Sequence, residues 1–230
     1  MPKLSVIIPV YNERETLIKL LMKVEDVKLG MVKKEIILVD DYSTDGTRDI
    51  IKDLPEKYKV IFHKKNRGKG RAIRTGLKYA TGDIIVIQDS DLEYDPQDYK
   101  KLIKPILKGN AKVVYGSRFM KNNNNWAIPS HYVGNKILSI ATTILFFRYV
   151  SDMETCYKMF TKDVLKKIKK LKAQRFDFEP EITAKIIKAG FRIKEVPINY
   201  HPRDFSEGKK INWKDGVQAL LYLIKYRFIN

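Results

Sequence analysis

The sequence is poor in cysteine and histidine and contains no long apolar run. One cysteine, Cys156, and three histidines occur in 230 residues. A single cysteine excludes an internal disulfide and a cysteine-built zinc site, so we expect a reducing, cytoplasmic compartment. No segment approaches the ~18 to 20 apolar residues that span a bilayer, and the first residues lack the anatomy of a signal peptide. We therefore expect a chain that does not cross a membrane by itself.

Acidic residues are also scarce relative to basic ones. The net charge is +18 at pH 7, and residues 161–230 carry 17 Lys or Arg against 8 Asp or Glu. Such an excess favours an anionic partner. Because the sequence has no zinc-finger pattern, RNP-type aromatic motif or clear helix-turn-helix, we expect no nucleic acid as partner. An anionic membrane surface remains the candidate, with peripheral attachment on the cytoplasmic face.

Three carboxylates follow a short apolar strand in the middle of the first half. Residues 84–87 are all Ile or Val, and Asp89, Asp91 and Glu93 come next at alternate positions. Carboxylates this close repel each other unless a cation lies among them, and oxygen-only ligands suit Mg²⁺ or Mn²⁺. The pattern indicates a metal site that also binds a nucleotide diphosphate. The alternative is an acidic turn that closes a core strand.

Strands and helices alternate over the first 120 residues. Apolar strands are predicted at 4–9, 35–41, 59–63, 84–87 and 112–117, and the helices between them at 15–24, 48–54, 72–80 and 96–107. This alternation predicts an α/β fold with a mostly parallel sheet, helices on both faces and the acidic strand ends along one edge. The loop 66–71, with Gly68, Lys69 and Gly70, is interpreted either as a phosphate site or as a flexible loop.

The second half is less regular. Residues 121–125 form a polar break, interpreted as disordered or as a mobile lid. Helices are predicted at 132–149, 178–189 and 213–228, strand pattern at 191–200, and a basic loop at 201–210. The last helix is amphipathic and, with the apolar helix before it and the basic last third, is typical of a surface that lies on a membrane.

Four motifs in order carry a resemblance to a known family. They are SVIIPVYNE at 5–13, VDDYSTDGT at 39–47, NRGKG at 66–70 and DSD at 89–91. The sequence resembles the family 2 glycosyltransferases, which have the nucleotide-sugar-binding GT-A fold, and within them most the dolichol-phosphate mannose and glucose synthases. The resemblance implies one catalytic domain, 1–230, with a nucleotide-sugar-binding half (1–120) and an acceptor-binding half (121–230).

The resemblance also implies roles for individual residues. Those that would line the nucleotide site or hold the metal-bound diphosphate are Pro9, Tyr11, Glu13, Asp40, Asp41, Lys69, Asp89, Asp91 and Glu93. Position 93 is Glu here, whereas the mannose synthases commonly have Gln, and this departure adds a negative charge beside the metal. Those that would hold the acceptor phosphate and the diphosphate from the basic side are Arg118, Arg203, Lys209 and Lys210. Asp152 would act as a base or only orient the acceptor.

The implied reaction is metal-dependent, inverting transfer of a hexose from GDP-mannose or UDP-glucose to a dolichyl or polyprenyl phosphate. Asp91, Arg118, Asp152 and Arg203 are the expected catalytic residues, and the loops 121–125 and 203–210 would close over the donor. The mannose synthases with appended membrane helices differ from this sequence, so attachment is expected to be peripheral or through another subunit. The alternatives are a soluble family 2 transferase with a glycan or hydroxyl acceptor, and a nucleotide-sugar- or nucleic-acid-binding module without turnover.

Overall fold

A seven-stranded sheet forms the centre of the protein. The computed structural model describes residues 1–120, 129–168, 170–203 and 213–229. The strands are β1 (Lys3–Val10), β2 (Lys33–Asp40), β3 (Tyr58–Phe62), β4 (Ile84–Ile87), β5 (Val113–Ser117), β6 (Lys158–Thr161) and β7 (Ile193–Pro197). They lie in the order β3-β2-β1-β4-β6-β5-β7.

Helices connect these strands and cover the sheet. They are α1 (Leu17–Asp26), α2 (Thr47–Lys52), α3 (Lys69–Tyr79), α4 (Tyr99–Leu107), α5 (Pro129–Phe146), α6 (Lys162–Lys167), α7 (Phe178–Lys188) and α8 (Trp213–Phe228), with a 3-10 turn at Pro96–Asp98. The pairs α5–α8 and α7–α8 pack against each other. None of the helices in the described ranges is both long and apolar enough to span a bilayer.

The predicted parallel core is confirmed. β1 pairs in parallel with β2 and β4, and β2 pairs in parallel with β3. All four residues of β4 are buried, as a run of Ile and Val covered on both faces requires. The carboxyl ends of β1, β2 and β4 therefore meet at one edge, where the acidic motifs follow.

One strand was not predicted, and it reverses the chain direction inside the sheet. β6 lies between β4 and β5 and is antiparallel to both, so the sheet is mostly parallel but mixed. Its first residue, Lys158, is fully buried, and its Nζ donates to the carbonyl oxygens of Met153 and Thr155. These hydrogen bonds offset the cost of burying the ammonium group. Because a lysine is not expected inside a sheet, it conceals the apolar pattern of this short strand.

Candidate active site

Strained backbone marks the edge where three parallel strands end. Asn12, Tyr42 and Leu92 follow β1, β2 and β4 and have φ values of 53°, 68° and 64°. Left-handed backbone in a residue other than glycine costs on the order of 1 kcal/mol or more and is concentrated at functional sites. Of the four residues other than glycine with left-handed backbone in the described ranges, these three lie at this edge, which is therefore the candidate active site.

The predicted carboxylates Asp89 and Asp91 lie at this edge among basic side chains. The Lys69 Nζ donates to Asp89 Oδ2 at 2.9 Å, and an Arg203 guanidinium nitrogen lies 3.6 Å from Asp91 Oδ2. Burial, together with the charges of Asp89 and Glu93, raises the pKa of Asp91 to about 8. The cluster therefore holds more negative charge than its neighbours neutralise, and it favours a proton or a cation.

Arg203 reaches this cluster from a distant part of the chain. Its guanidinium nitrogens donate to both carboxylate oxygens of Glu13 at 3.2 Å, a forked contact to which arginine is suited. Its backbone N–H donates to Glu93 Oε1 at 2.9 Å, and the Tyr200 hydroxyl donates to Glu93 Oε2 at 3.0 Å. Glu93, predicted as a metal ligand, thus fastens segment 200–203 over the site.

Arg118 and Asp152 form a buried ion pair beside this segment. Asp152 accepts from Arg118 Nε at 2.8 Å, from Nη2 at 2.7 Å and from the backbone N–H at 2.9 Å. Although burial alone would lower it, the Asp152 charge raises the pKa of Arg118 well above its usual value. The guanidinium lies 5.1 Å from the Tyr200 ring centroid. Asp152 therefore holds the Arg118 guanidinium in a fixed orientation.

The glycine-rich loop before α3 packs against protein. Asp41 accepts from the backbone N–H groups of Arg67 at 2.9 Å and Gly68 at 2.6 Å. The N–H groups of Gly70 and Arg71 donate to backbone carbonyls of residues 174 and 175. These four N–H groups already donate to protein atoms, which disfavours the interpretation of the loop as a phosphate site built from backbone donors. The Lys69 side chain is the group that the loop would present to a phosphate.

The residues predicted for the nucleoside lie along the ends of β1 and β2. Pro9 is buried and its carbonyl accepts from Ser90 Oγ at 3.1 Å, while Tyr11 is 37% exposed. Asp40 is fully buried and accepts from Arg48 Nη1 at 3.0 Å. Val10 pairs with Asp40 across β1 and β2, so Tyr11 follows β1 at the level where Asp41 follows β2.

Two residues at the site were missed by the sequence analysis. Glu179 Oε1 lies 3.0 Å from Lys69 Nζ, and Tyr200 connects Arg118 with Glu93. Glu179 lies in the Phe-Glu-Pro-Glu sequence that opens α7. Acidic residues are common in the first turn of a helix because they interact favourably with the helix dipole. The sequence therefore does not distinguish Glu179 from any other glutamate at the start of a helix. Lys209 and Lys210, and the loop 121–125, lie outside the described residues.

The side chains at this edge provide some, but not all, of the ligands of a divalent cation. Within the described ranges, no three His, Cys, Asp or Glu residues converge as a complete ligand set. Asp89 and Asp91 nevertheless supply hard oxygen donors with excess negative charge, which fits Mg²⁺ or Mn²⁺ when substrate oxygens and water complete the coordination.

The chain is similar in sequence to two transferases over most of its length. The chain is 32% identical over 213 residues to the dolichol-phosphate mannosyltransferase of Pyrococcus furiosus. The aligned region covers 90% of this chain and 59% of that protein. It is 31% identical over 238 residues to the UDP-N-acetylglucosamine–dolichyl-phosphate N-acetylglucosaminyltransferase of Methanococcus voltae, covering 95% and 93%.

Solved structures share the fold. Glucosyl-3-phosphoglycerate synthase from Mycobacterium tuberculosis, in complex with Mn²⁺, UDP and phosphoglyceric acid, matches 100% of this chain and 80% of its own at a TM-score of 0.75 and 20% identity. This likeness confirms the predicted GT-A fold. The family model described as glycosyl transferase family 2 matches residues 5–169. The chain belongs to glycosyl transferase family 2 and is a glycosyltransferase.

Proposed function

We propose that the protein transfers a hexose from a nucleotide sugar to a dolichyl or other polyprenyl phosphate, with inversion at the anomeric carbon. The observation that carries the proposal is a pair of anchored arginines at the acidic edge of the sheet. Arg203 lies 3.6 Å from Asp91. Arg118, held by Asp152, lies 5.1 Å from the ring of Tyr200, whose hydroxyl binds Glu93. The carboxylates suit a metal-bound diphosphate, and the arginines suit an anionic acceptor. The names of the Pyrococcus and Methanococcus relatives, both dolichyl-phosphate enzymes, support this acceptor class.

On the donor side, Asp89 and Asp91 would hold Mg²⁺ or Mn²⁺, which would neutralise the diphosphate as it leaves. The raised pKa of Asp91, caused first by burial and then by its acidic neighbours, supports a cation at this point. Glu93 would join the ligands by exchanging its contact with Tyr200 or Arg203. Related folds solved with Mn²⁺ or Mg²⁺ and UDP support the same reading.

On the acceptor side, Arg118 and Arg203 would hold the lipid phosphate for in-line attack. A phosphate monoester is already anionic at neutral pH, so its oxygen attacks without a general base. Asp152, whose oxygens accept from Arg118, would keep that guanidinium aimed at the phosphate. Positioning and charge stabilisation would then supply most of the rate enhancement.

An exposed apolar face supports a lipid acceptor. α5 and α8, together with the residue after each helix, expose large apolar side chains: Val133, Ile137, Ile140, Ile144, Phe147, Val217, Leu221, Ile224, Phe228 and Ile229. The exposed cations Arg148 and Lys225 lie next to them. We propose that this α5–α8 face lies on an anionic membrane, where apolar burial and basic side chains act together.

The test is a transfer assay with labelled UDP-glucose, UDP-N-acetylglucosamine and GDP-mannose, each with Mg²⁺ or Mn²⁺ and dolichyl phosphate in detergent. We expect one donor to give a lipid-linked product that EDTA abolishes. Asp91→Ala is expected to lower the rate by about 10²-fold or more, because the diphosphate loses its metal.

Asp49→Ala, at an exposed carboxylate in α2, is the matched control and is expected to keep the wild-type rate. Full activity of Asp91→Ala would contradict the metal site. Metal-dependent hydrolysis of a donor without any lipid product would instead favour a hydroxyl acceptor.

A further inference from the structure

Three buried side-chain oxygens near the site have no hydrogen-bond partner. They are Glu154 Oε1, Thr155 Oγ1 and Glu179 Oε2. A buried polar atom without a partner costs about 1 to 3 kcal/mol, so such atoms are rare in folded proteins and call for an explanation. A ligand that supplies hydrogen-bond donors would remove this cost for all three.

Glu179 stands at the donor end of the site. It is 3% exposed, and its other oxygen, Oε1, lies 3.0 Å from the Lys69 Nζ that binds Asp89. Its position in the first turn of α7 places it at the positive end of the helix dipole. Lys69 thus connects Glu179 with the predicted metal ligand Asp89, and the second oxygen, Oε2, has no partner.

Glu154 lies between the donor and acceptor ends along the chain. Two residues before it, Asp152 binds Arg118 on the acceptor side. Two residues after it, Cys156 Sγ lies 3.7 Å from the carbonyl oxygen of Ile87, which closes β4 just before Asp89. Burial, followed by the charge of Glu179, raises the pKa of Glu154 to about 8.

We propose that Glu154 and Glu179 form the subsite for the hexose of the donor, each binding a sugar hydroxyl. This inference rests on the proposed function, since in-line transfer requires the hexose to lie between the departing diphosphate and the acceptor phosphate. A sugar hydroxyl both donates and accepts hydrogen bonds, so it satisfies a carboxyl oxygen in either protonation state.

The test is calorimetric binding with Mg²⁺ and no acceptor. UDP, GDP and their glucose, N-acetylglucosamine and mannose derivatives are titrated into the wild type, Glu154→Gln and Glu179→Gln. The readout is the affinity of the nucleotide sugar divided by that of the corresponding nucleoside diphosphate. We expect each variant to lower this ratio by about 3- to 10-fold, as the loss of one hydrogen bond predicts.

Glu181→Gln is the matched control. Glu181 is fully buried in the same helix, but its oxygens accept from the backbone of Lys172 and Ala173 and from Lys185. We expect this variant to lower the melting temperature and leave the affinity ratio unchanged.

An unchanged ratio in both Glu154→Gln and Glu179→Gln would overturn the subsite. A fall in turnover with the ratio intact would do the same, because the carboxylates would then act in the chemistry and not in sugar binding. Since no acceptor is present, failure to form a lipid-linked product leaves this result unaffected and counts against the proposed acceptor alone.

Discussion

Glu35 shows how one half-buried carboxylate connects neighbouring strands outside the active site. This residue of β2 accepts from Ser5 in β1 and from the backbone of Thr81 and Gly82, just before β4. Burial alone would raise its pKa, but hydrogen bonds from Lys3, Ser5 and Thr81 lower the pKa to about 2. The carboxylate therefore stabilises the fold in its ionised form.

A pH-dependent effect on stability follows from this contact. The pKa of Glu35 is lower in the folded state than its ordinary value of 4.5, so its stabilisation is complete above about pH 5 and is lost as the pH falls toward 2. Glu35→Gln is expected to destabilise the protein at pH 7 and to match the wild type more closely near pH 2. Urea unfolding at several pH values measures this. Glu56→Gln, at an exposed position, is the control, and a pH-independent difference for Glu35→Gln would contradict the account.

The Arg118–Asp152 pair predicts a larger loss. Asp152→Asn leaves a buried guanidinium without its counter-charge, which is expected to cost about 3 to 5 kcal/mol in the free energy of unfolding. Asp49→Asn, whose Lys52 partner is exposed, is expected to cost less than about 1 kcal/mol. Guanidinium chloride unfolding measures the loss of unfolding free energy in both variants. Equal losses would contradict the expectation that the buried Arg118–Asp152 pair contributes more than the exposed pair.

At this scale the sequence indicated candidate residues and not their contacts. The acidic spacing predicted Asp89 and Asp91 directly, whereas Arg118 and Arg203 were predicted through the family resemblance. Glu179 was missed because its partner, Lys69, is 110 residues away. Pattern alone carries no information about pairs so distant in sequence.

Among the elements, α3 approaches the sheet closely enough to exclude a side chain. A Cβ added at Gly76 would lie 2.6 Å from Ile7 Cγ2 in β1, whereas one added at Gly134 in α5 would meet nothing within 4 Å. Gly76→Ala is expected to destabilise the protein by about 1 to 3 kcal/mol through overpacking. Gly134→Ala is expected to stabilise it by about 0.5 to 1 kcal/mol through helix propensity.

Thermal and chemical unfolding of these two variants measure the difference. Effects of the same sign would contradict the packing described for α3.

The elements themselves were largely predictable, and their order was not. Runs of three or four Ile, Leu or Val residues made β1, β2 and β4 clear from sequence, and periodicity indicated α1 and α8. β6 was missed because it has four residues and begins with a buried lysine. Its insertion between β4 and β5 depends on pairing across about 70 residues, where no local signal reports strand direction.

For the whole molecule, the basic excess and the α5–α8 face predict binding to lipid. We expect the protein to float with vesicles that contain phosphatidylserine or phosphatidylglycerol, to bind phosphatidylcholine vesicles weakly, and to lose binding as salt rises. Ile140→Asp with Ile144→Asp is expected to reduce binding about 10-fold or more.

Met22→Asp, at an exposed apolar position on α1, is the control and is expected to bind as the wild type does. Equal binding by the double variant and the wild type would exclude the α5–α8 face as the membrane surface.

The site itself is a property of the whole chain, since it joins residues near 13, 91, 118 and 203. Transfer by the intact enzyme to dolichyl phosphate and to dolichol, with the donor that gives a product, tests its assignment most directly. The account predicts labelled lipid with dolichyl phosphate and a rate lower by about 10²-fold or more with dolichol, because Arg118 and Arg203 would bind the phosphate. Equal rates with both lipids would contradict it.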